Sequence, residues 1–222
     1  MQIFEIKNMK MLKEFEGQFS SEIINALKKT DREMFVQDAV RHHAFNINAL
    51  PMSGEQWISS PLTVAKMTSY LLARDVEGVC EADSVLEIGL GSGYQAVVLS
   101  HLIRRVFSIE RIQALWEEAR VRIAKLGITN INIKLDDGMS GWAAYAPYDR
   151  ILLSACADSI PASLFNQLSD NGVLVAPIYC GESQGKSQKI IRFIKRGSNI
   201  TEQILESCEF VPIKPGISRN TK

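Results

Sequence analysis

The sequence predicts an α/β fold in which a mostly parallel central sheet carries helices on both faces, with a helical extension at the N-terminus. After Gly78, short apolar runs of strand length alternate with helical patterns, an order typical of βαβ units. Before that point, residues 1–35 and 63–73 place their apolar side chains at helical spacing. The 222 residues amount to about one and a half typical domains, so we expect one elaborated domain over residues 1–222.

The N-terminal part, residues 1–78, is expected to contain helices and one long loop. Ile23, Ile24 and Leu27 share a helical face behind Ser20 and Ser21, either of which can cap the helix start. The stretch 36–61 has no periodicity and is interrupted by asparagine, proline and glycine. A loop of this length inside a compact domain is usually functional or disordered.

The core, residues 79–222, is expected to consist of seven strands with helices between them. The predicted strands are 84–88, 106–109, 131–135, 151–155, 173–177, 189–195 and 204–213. The predicted helices are 96–102, 115–126 and 163–168.

Composition excludes several classes of partner and site. Twenty-five basic and 25 acidic residues cancel, so net charge gives no reason to expect a nucleic-acid or membrane partner. The four cysteines form no C-x-x-C pair, and only three histidines are present, so we expect no metal site and reduced thiols. No signal peptide and no apolar run of about 20 residues is apparent. We expect a cytoplasmic protein; the oligomeric state stays open, with a monomer favoured.

The strongest motif is a glycine-rich turn that directly follows the first core strand. Glycines stand at 89, 91 and 93, and Glu87 precedes them. A dinucleotide fingerprint, G-x-G-x-x-G, would need a third glycine at 94, where the chain has Tyr94. The tighter spacing resembles motif I of Rossmann-like S-adenosylmethionine-dependent methyltransferases and disfavours a nicotinamide oxidoreductase.

Two acidic residues follow at the spacing that such a cofactor site needs. Glu110 ends the next strand, about 20 residues on, where an acid can bind ribose hydroxyls. Asp137 follows the third strand, near the place expected for adenine. Each signal alone is weak, but three in the right order and spacing predict a cofactor site.

Beyond the cofactor motif, the segment 85–141 is similar to the protein-L-isoaspartate (D-aspartate) O-methyltransferases. The shared motifs are Glu-Ile-Gly at 87–89, Gly-Ser-Gly-Tyr-Gln at 91–95, Ser-Ile-Glu-Arg at 108–111, Asp-Gly at 137–138 and Gly-Trp at 141–142. The similarity continues at Arg-x-x-Phe-Val (32–36), Leu-Pro (50–51), Ile-Ser-Ser-Pro (58–61), Ile-Pro (160–161), Gly-Val-Leu-Val-Ala-Pro (172–177) and Phe-Val-Pro (210–212). It covers roughly residues 20–213.

The resemblance implies methyl transfer from S-adenosyl-L-methionine to the α-carboxylate of isoaspartyl residues in damaged proteins or peptides, with S-adenosyl-L-homocysteine as product. It places Ser59 near the transferred methyl and the substrate carboxylate, with Ile58 and Ser60 beside it in a substrate loop. It assigns the cofactor to Glu87, Gly89, Gly91, Ser92, Gly93, Glu110, Arg111, Asp137 and Gly138. A carboxylate with a pKa of about 4 is already ionised at neutral pH, so no general base is required.

The departures from the family pattern concentrate where substrate would bind. Trp57 stands where threonine is usual, and Glu55 belongs to an altered lead-in to the loop. The segment Ser-Ala-Cys-Ala that ends at Ala157 stands where an alanine-proline pair is usual, and Tyr179 stands where glycine is expected. Two alternatives therefore stay open at this point: a methyltransferase for another acceptor, and a protein that binds the cofactor or damaged peptide without turnover.

Overall fold

The computed structural model describes residues 3–15, 17–181 and 187–219. The helices are α1 (Ile3–Leu12), α2 (Ser21–Lys29), α3 (Pro61–Leu72), α4 (Tyr94–Ser100), α5 (Gln113–Lys125) and α6 (Ala162–Asn166). The strands are β1 (Leu50–Met52), β2 (Gln56–Ile58), β3 (Ser84–Ile88), β4 (Arg105–Glu110), β5 (Ile131–Leu135), β6 (Tyr148–Leu153), β7 (Leu168–Cys180), β8 (Ser187–Arg196) and β9 (Asn199–Cys208).

The central sheet has seven strands in the order β5-β4-β3-β6-β7-β8-β9. Strands β3 to β7 pair in parallel, whereas β8 and β9 are added antiparallel at one edge. The predicted, mostly parallel α/β sheet is therefore confirmed. The chain runs outward in opposite directions on the two sides of β3, and ligands of open α/β sheets bind at the carboxyl ends of the strands at such a point.

Apolar side chains cover both faces of the sheet because successive residues of a strand point to opposite sides. On one face, Val85 and Val106 pack in a core with residues of α3, α4 and α5. On the other, Leu86 and Phe107 pack with Leu164 of α6. The predicted helices on both faces are confirmed, and β3 is buried over its whole length.

The N-terminal extension is helical, as predicted. It packs on the core through apolar side chains, and its first two helices are joined by buried polar contacts. Asn8 of α1 is fully buried and donates to the carbonyl oxygens of Leu27 and Thr30 at the end of α2. Ser20 occupies the N-cap of α2, but its side chain makes no capping hydrogen bond. The predicted position of the helix start is therefore confirmed, whereas the side-chain cap is not seen at Ser20.

Several elements begin or end elsewhere than predicted: β6 lies at Tyr148–Leu153 and not at 151–155, and β7 spans Leu168–Cys180 and not 173–177. Two segments differ more. The loop 36–61 contains an antiparallel hairpin of β1 and β2. The last strand, predicted at 204–213, lies at Asn199–Cys208, and the chain after it leaves the sheet. We call residues 209–218 the C-terminal strap: it passes the carboxyl ends of β6, β5 and β4, making backbone hydrogen bonds with Cys156 and Arg111 on the way.

None of the four cysteines, all within the described residues, forms a disulfide. Across 3–15, 17–181 and 187–219, no three His, Cys, Asp or Glu side chains are grouped so that they could hold a metal ion. Nor does any helix in these ranges have the length and apolar character to cross a bilayer.

Candidate active site

A cavity lies at the carboxyl ends of β3, β4, β5 and β6, between the hairpin of β1 and β2 on one side and the C-terminal strap on the other. The structure brings most of the predicted site residues together in its lining: Ile58, Ser59, Gly89, Gly91, Ser92, Glu110, Arg111, Asp137 and Gly138. Three predicted residues, Ser60, Glu87 and Gly93, lie outside the lining.

The glycine-rich turn forms the cavity wall between β3 and α4. Gly89 and Gly91 have φ angles of 96° and 52°, in the left-handed region that favours glycine. A Cβ at Gly91 would lie 3.8 Å from the Met52 Cε atom and within 4 Å of no other atom beyond its chain neighbours, so the turn is open toward the cavity. Gly93 serves a different purpose from the predicted one, since it is the N-cap of α4.

Glu110 ends β4 and holds the glycine-rich turn. One carboxylate oxygen accepts from the Gly91 amide and the other from the Ile112 amide, both at 2.8 Å. The side chain is 4% exposed; burial raises the pKa of this carboxyl, and the backbone hydrogen bonds oppose that rise. Each oxygen keeps a further lone pair, so Glu110 can accept hydroxyl hydrogen bonds from a ligand in the cavity.

Asp137 and Arg111 connect the cavity to the C-terminal strap. Asp137 accepts from the Met139 amide at 3.0 Å and from the Gly216 amide at 2.7 Å. The Arg111 guanidinium donates to the Gly216 carbonyl at 2.9 Å. Two residues expected to meet the cofactor therefore also hold the strap.

Packing against β3 requires a glycine at position 138, whether or not a ligand contacts it. A Cβ at this position would lie 2.3 Å from the Cγ2 atom of Ile88. No side chain fits there unless β3 moves, and overpacking of this kind is destabilising.

Glu87 does not line the cavity, in contrast to its predicted place beside the methionine part of the cofactor. Its side chain is 0% exposed and accepts from the hydroxyls of Ser108 at 2.6 Å and Ser154 at 3.3 Å. Desolvation by burial raises the pKa of this carboxyl to about 8. Ser154 lies in the lining, so Glu87 supports the cavity from beneath.

Ser59 reaches the cavity because it follows the hairpin directly. In the hairpin, Leu50 pairs with Ile58 and Pro51 with Trp57. Ile58 is 3% exposed and anchors the hairpin in the core. Ser60, which was predicted to bind substrate, lies outside the cavity lining. Its side chain caps α3 by accepting a hydrogen bond from the Thr63 amide at 3.0 Å.

The sequence analysis missed the residue that shapes this loop, Arg32. It is 0% exposed and donates to four backbone carbonyl oxygens at 2.7–3.2 Å, those of Ala44, Asn46, Asn48 and Ser59. Its guanidinium also lies over the Tyr94 ring, 5.5 Å from the centroid. Arg32 appeared in the sequence only within a resembling motif, and no pattern in the sequence connects it to carbonyls up to 27 positions away.

Comparison with known proteins decides the family. The sequence model of protein-L-isoaspartate (D-aspartate) O-methyltransferases matches residues 6–217. The chain belongs to this family. It is 48% identical over 215 residues to the protein-L-isoaspartate O-methyltransferase of Helicobacter pylori strain G27, covering 96% of this chain and 98% of that one. It is 40% identical over 201 residues to the enzyme of Pseudomonas paraeruginosa, covering 90% and 91%.

Solved structures of isoaspartate methyltransferases share the fold. One protein-L-isoaspartate O-methyltransferase superposes with a TM-score of 0.82 at 24% identity, over 97% of this chain and 67% of the other. A beta-aspartate methyltransferase from Plasmodium falciparum, in complex with S-adenosyl-L-homocysteine, superposes with a TM-score of 0.76 at 20% identity, over 93% and 98%. The fold expected from the resemblance is confirmed.

Proposed function

We propose that this chain transfers a methyl group from S-adenosyl-L-methionine to the α-carboxylate of isoaspartyl residues in damaged proteins and peptides, which starts their repair. The observation that carries the proposal is the joint placement of Ser59 and the glycine-rich turn in one cavity, in a chain matched by the family model over residues 6–217. The H. pylori relative carries the name of this activity.

The chemistry of the cavity fits the cofactor. Glu110 supplies carboxylate oxygens for ribose hydroxyls, and Asp137 supplies them for hydrogen-bond donors near the base. Ile112 and Leu115 give the same cavity nonpolar walls suited to a flat ring. The positive φ angle of Gly91 lets the backbone approach the ligand closely. When bound, the cofactor supplies an electrophilic methyl group on a sulfonium ion, and loss of that methyl group leaves a neutral thioether.

The protein's own task is to place the acceptor. An isoaspartyl α-carboxylate is ionised at neutral pH, so no residue has to remove a proton. The Ser59 hydroxyl can donate to that carboxylate and hold one oxygen in line with the methyl group. Placement of this kind is worth up to about 7–11 kcal/mol in well-oriented reactions.

Methyl transfer from labelled S-adenosyl-L-methionine to an isoaspartyl peptide, with the matching aspartyl peptide as control, tests the proposal. Transfer to the isoaspartyl peptide alone is the expected result. If cofactor binding is confirmed by calorimetry and no isoaspartyl peptide is methylated, the proposal is refuted. The remaining functions would then be methylation of another acceptor, which the exposed Trp57 at the cavity rim favours, or binding without turnover.

We further propose that the enzyme works in the cytoplasm as a monomer on protein and peptide substrates, without nucleic-acid or membrane partners. Four cysteines without a disulfide among them fit a reducing compartment. A formal net charge of +0 gives no general attraction to polyanions or anionic lipids. Light scattering coupled to size exclusion measures the oligomeric state directly, and a mass near 24.8 kDa is expected.

A further inference from the structure

Trp57 lies at the rim of the cavity, two residues before Ser59. It belongs to β2, where it pairs with Pro51, and the next residue, Ile58, is buried in the core. Ile58 also lines the cavity, so the three consecutive residues 57–59 carry the hairpin along its wall. Trp57 and Ser59 both line the same cavity, so anything that brings a carboxylate to Ser59 passes close to Trp57.

The Trp57 ring is open to solvent, unlike the other two tryptophans. Its side chain is 56% exposed, whereas Trp142 lies edge-on to Phe107 with centroids 5.8 Å apart and Trp116 is covered by the Arg120 guanidinium. Within the described part of the chain, Trp57 makes no such ring contact. A covered tryptophan side chain buries about 150–250 Å². The exposed Trp57 ring therefore offers a large apolar surface that a bound ligand can cover.

The C-terminal strap adds nonpolar side chains to the cavity and is held in place. Phe210 and Val211 of the C-terminal strap line the cavity with Trp57. The Gln188 side chain fixes the strap here: it accepts from the Phe210 amide at 2.6 Å and donates to the Phe210 carbonyl at 3.0 Å. The cavity therefore has apolar side chains on two separate, fixed pieces of backbone.

From these observations we propose that Trp57 is a specificity-determining residue: it forms one wall of a subsite for an aromatic or large aliphatic side chain next to the isoaspartyl residue. The inference rests on the proposed function, because the isoaspartyl carboxylate must sit at Ser59 for its neighbour to reach Trp57. The subsite acts on binding of the peptide and not on the reacting atoms. Its effect accordingly falls on KM, while kcat stays close to its original value.

Matched isoaspartyl peptides test this subsite on the full-length protein. The peptides differ only in the residue immediately before or immediately after the isoaspartate, which is phenylalanine, alanine or glutamate. Methyl transfer is measured for the wild type, Trp57→Thr and Trp57→Phe. Ile204→Thr is the matched control, because Ile204 is 66% exposed on β9 and lies outside the cavity lining.

The wild type is expected to show a roughly two- to tenfold lower KM for the phenylalanine peptide than for the alanine peptide at one of the two positions. Trp57→Thr loses this difference, Trp57→Phe keeps most of it, and Ile204→Thr keeps all of it. Cofactor affinity measured by calorimetry stays the same in all four proteins, which excludes a general loss of folding as the cause.

Three results would overturn the inference. The wild type could fail to discriminate phenylalanine from alanine at both positions, Trp57→Thr could keep the discrimination, or glutamate could be preferred to phenylalanine, which would point to Lys214 at the same rim. Failure of every isoaspartyl peptide to accept a methyl group, with cofactor bound, would instead refute the proposed function and this inference with it.

Discussion

Replacing Glu87 by glutamine should change how the stability of the protein depends on pH. Glu87 is fully buried, and its pKa is raised from 4.5 to about 8, first of all by desolvation. Its only hydrogen-bond partners in the described chain are the hydroxyls of Ser108 and Ser154. Glutamine has the same shape and can bond both hydroxyls, but it never carries a charge.

Proton linkage gives the size and sign of the effect of Glu87 on the free energy of unfolding. Below about pH 4.5 the folded and unfolded states both hold the proton, and Glu87 has no effect on the pH dependence. Between about 4.5 and 8 the unfolded state loses its proton while the folded state keeps it, so the wild type loses stability as pH rises. A shift from 4.5 to about 8 corresponds to at most about 5 kcal/mol when the window is fully crossed.

Urea denaturation of the wild type and Glu87→Gln from pH 4.5 to 9 measures this difference. Between about pH 4.5 and 8, the free energy of unfolding of the wild type should fall relative to that of Glu87→Gln. Above about pH 8, the two curves should run parallel. Glu202→Gln is the matched control, because it makes the same chemical change at an exposed site on β9. If the difference in the free energy of unfolding between the wild type and Glu87→Gln stays constant with pH, the assignment of a protonated Glu87 is refuted.

Three further substitutions probe the cavity. Ser59→Ala should lower kcat roughly five- to thirtyfold through one lost hydrogen bond and leave cofactor affinity nearly intact; a collapse of that affinity in calorimetry would place Ser59 in the cofactor site instead. Glu110→Ala should weaken cofactor binding by about 1–3 kcal/mol for each hydrogen bond lost, and unchanged affinity would show that the ribose lies elsewhere. Arg32→Lys should lower stability by about 1–3 kcal/mol, because an ammonium cannot reproduce the guanidinium fork and leaves buried carbonyls unpaired. It should also raise KM for the peptide more than it weakens cofactor binding, and wild-type stability in denaturation would contradict this role.

Local patterns in the sequence were sufficient for the parts of the fold that depend on them. The strands predicted at 84–88 and 131–135 agree with β3 and β5 to the residue. The buried strand β3 is a short apolar run, and β5, at the edge of the sheet, alternates apolar and polar residues. The glycine-rich turn and Glu110 were found by spacing, since a βα turn and the following strand end are fixed distances apart along the chain.

The remaining features depend on contacts between distant segments, which periodicity does not report. The start of the C-terminal strap was predicted as part of the strand 204–213. The backbone hydrogen bonds of the strap go instead to Cys156, Arg111 and Gln113 and form no continuous ladder. The family resemblance, and not a pattern of the strand itself, implied a place for Glu87 in the cavity. In the structure, the Glu87 side chain instead points to a buried face of the sheet, where it accepts a hydrogen bond from the Ser154 hydroxyl.

Arg32 has a consequence for how this enzyme can diverge in evolution. It holds the loop through the backbone carbonyls of Ala44, Asn46, Asn48 and Ser59, and every amino acid offers the same carbonyl. The shape of the loop is therefore largely independent of which side chains it displays. Mutations at exposed positions such as Glu55 and Trp57 can alter what the rim binds while Ser59 keeps its place, so substrate preference can drift in small steps without loss of the reaction.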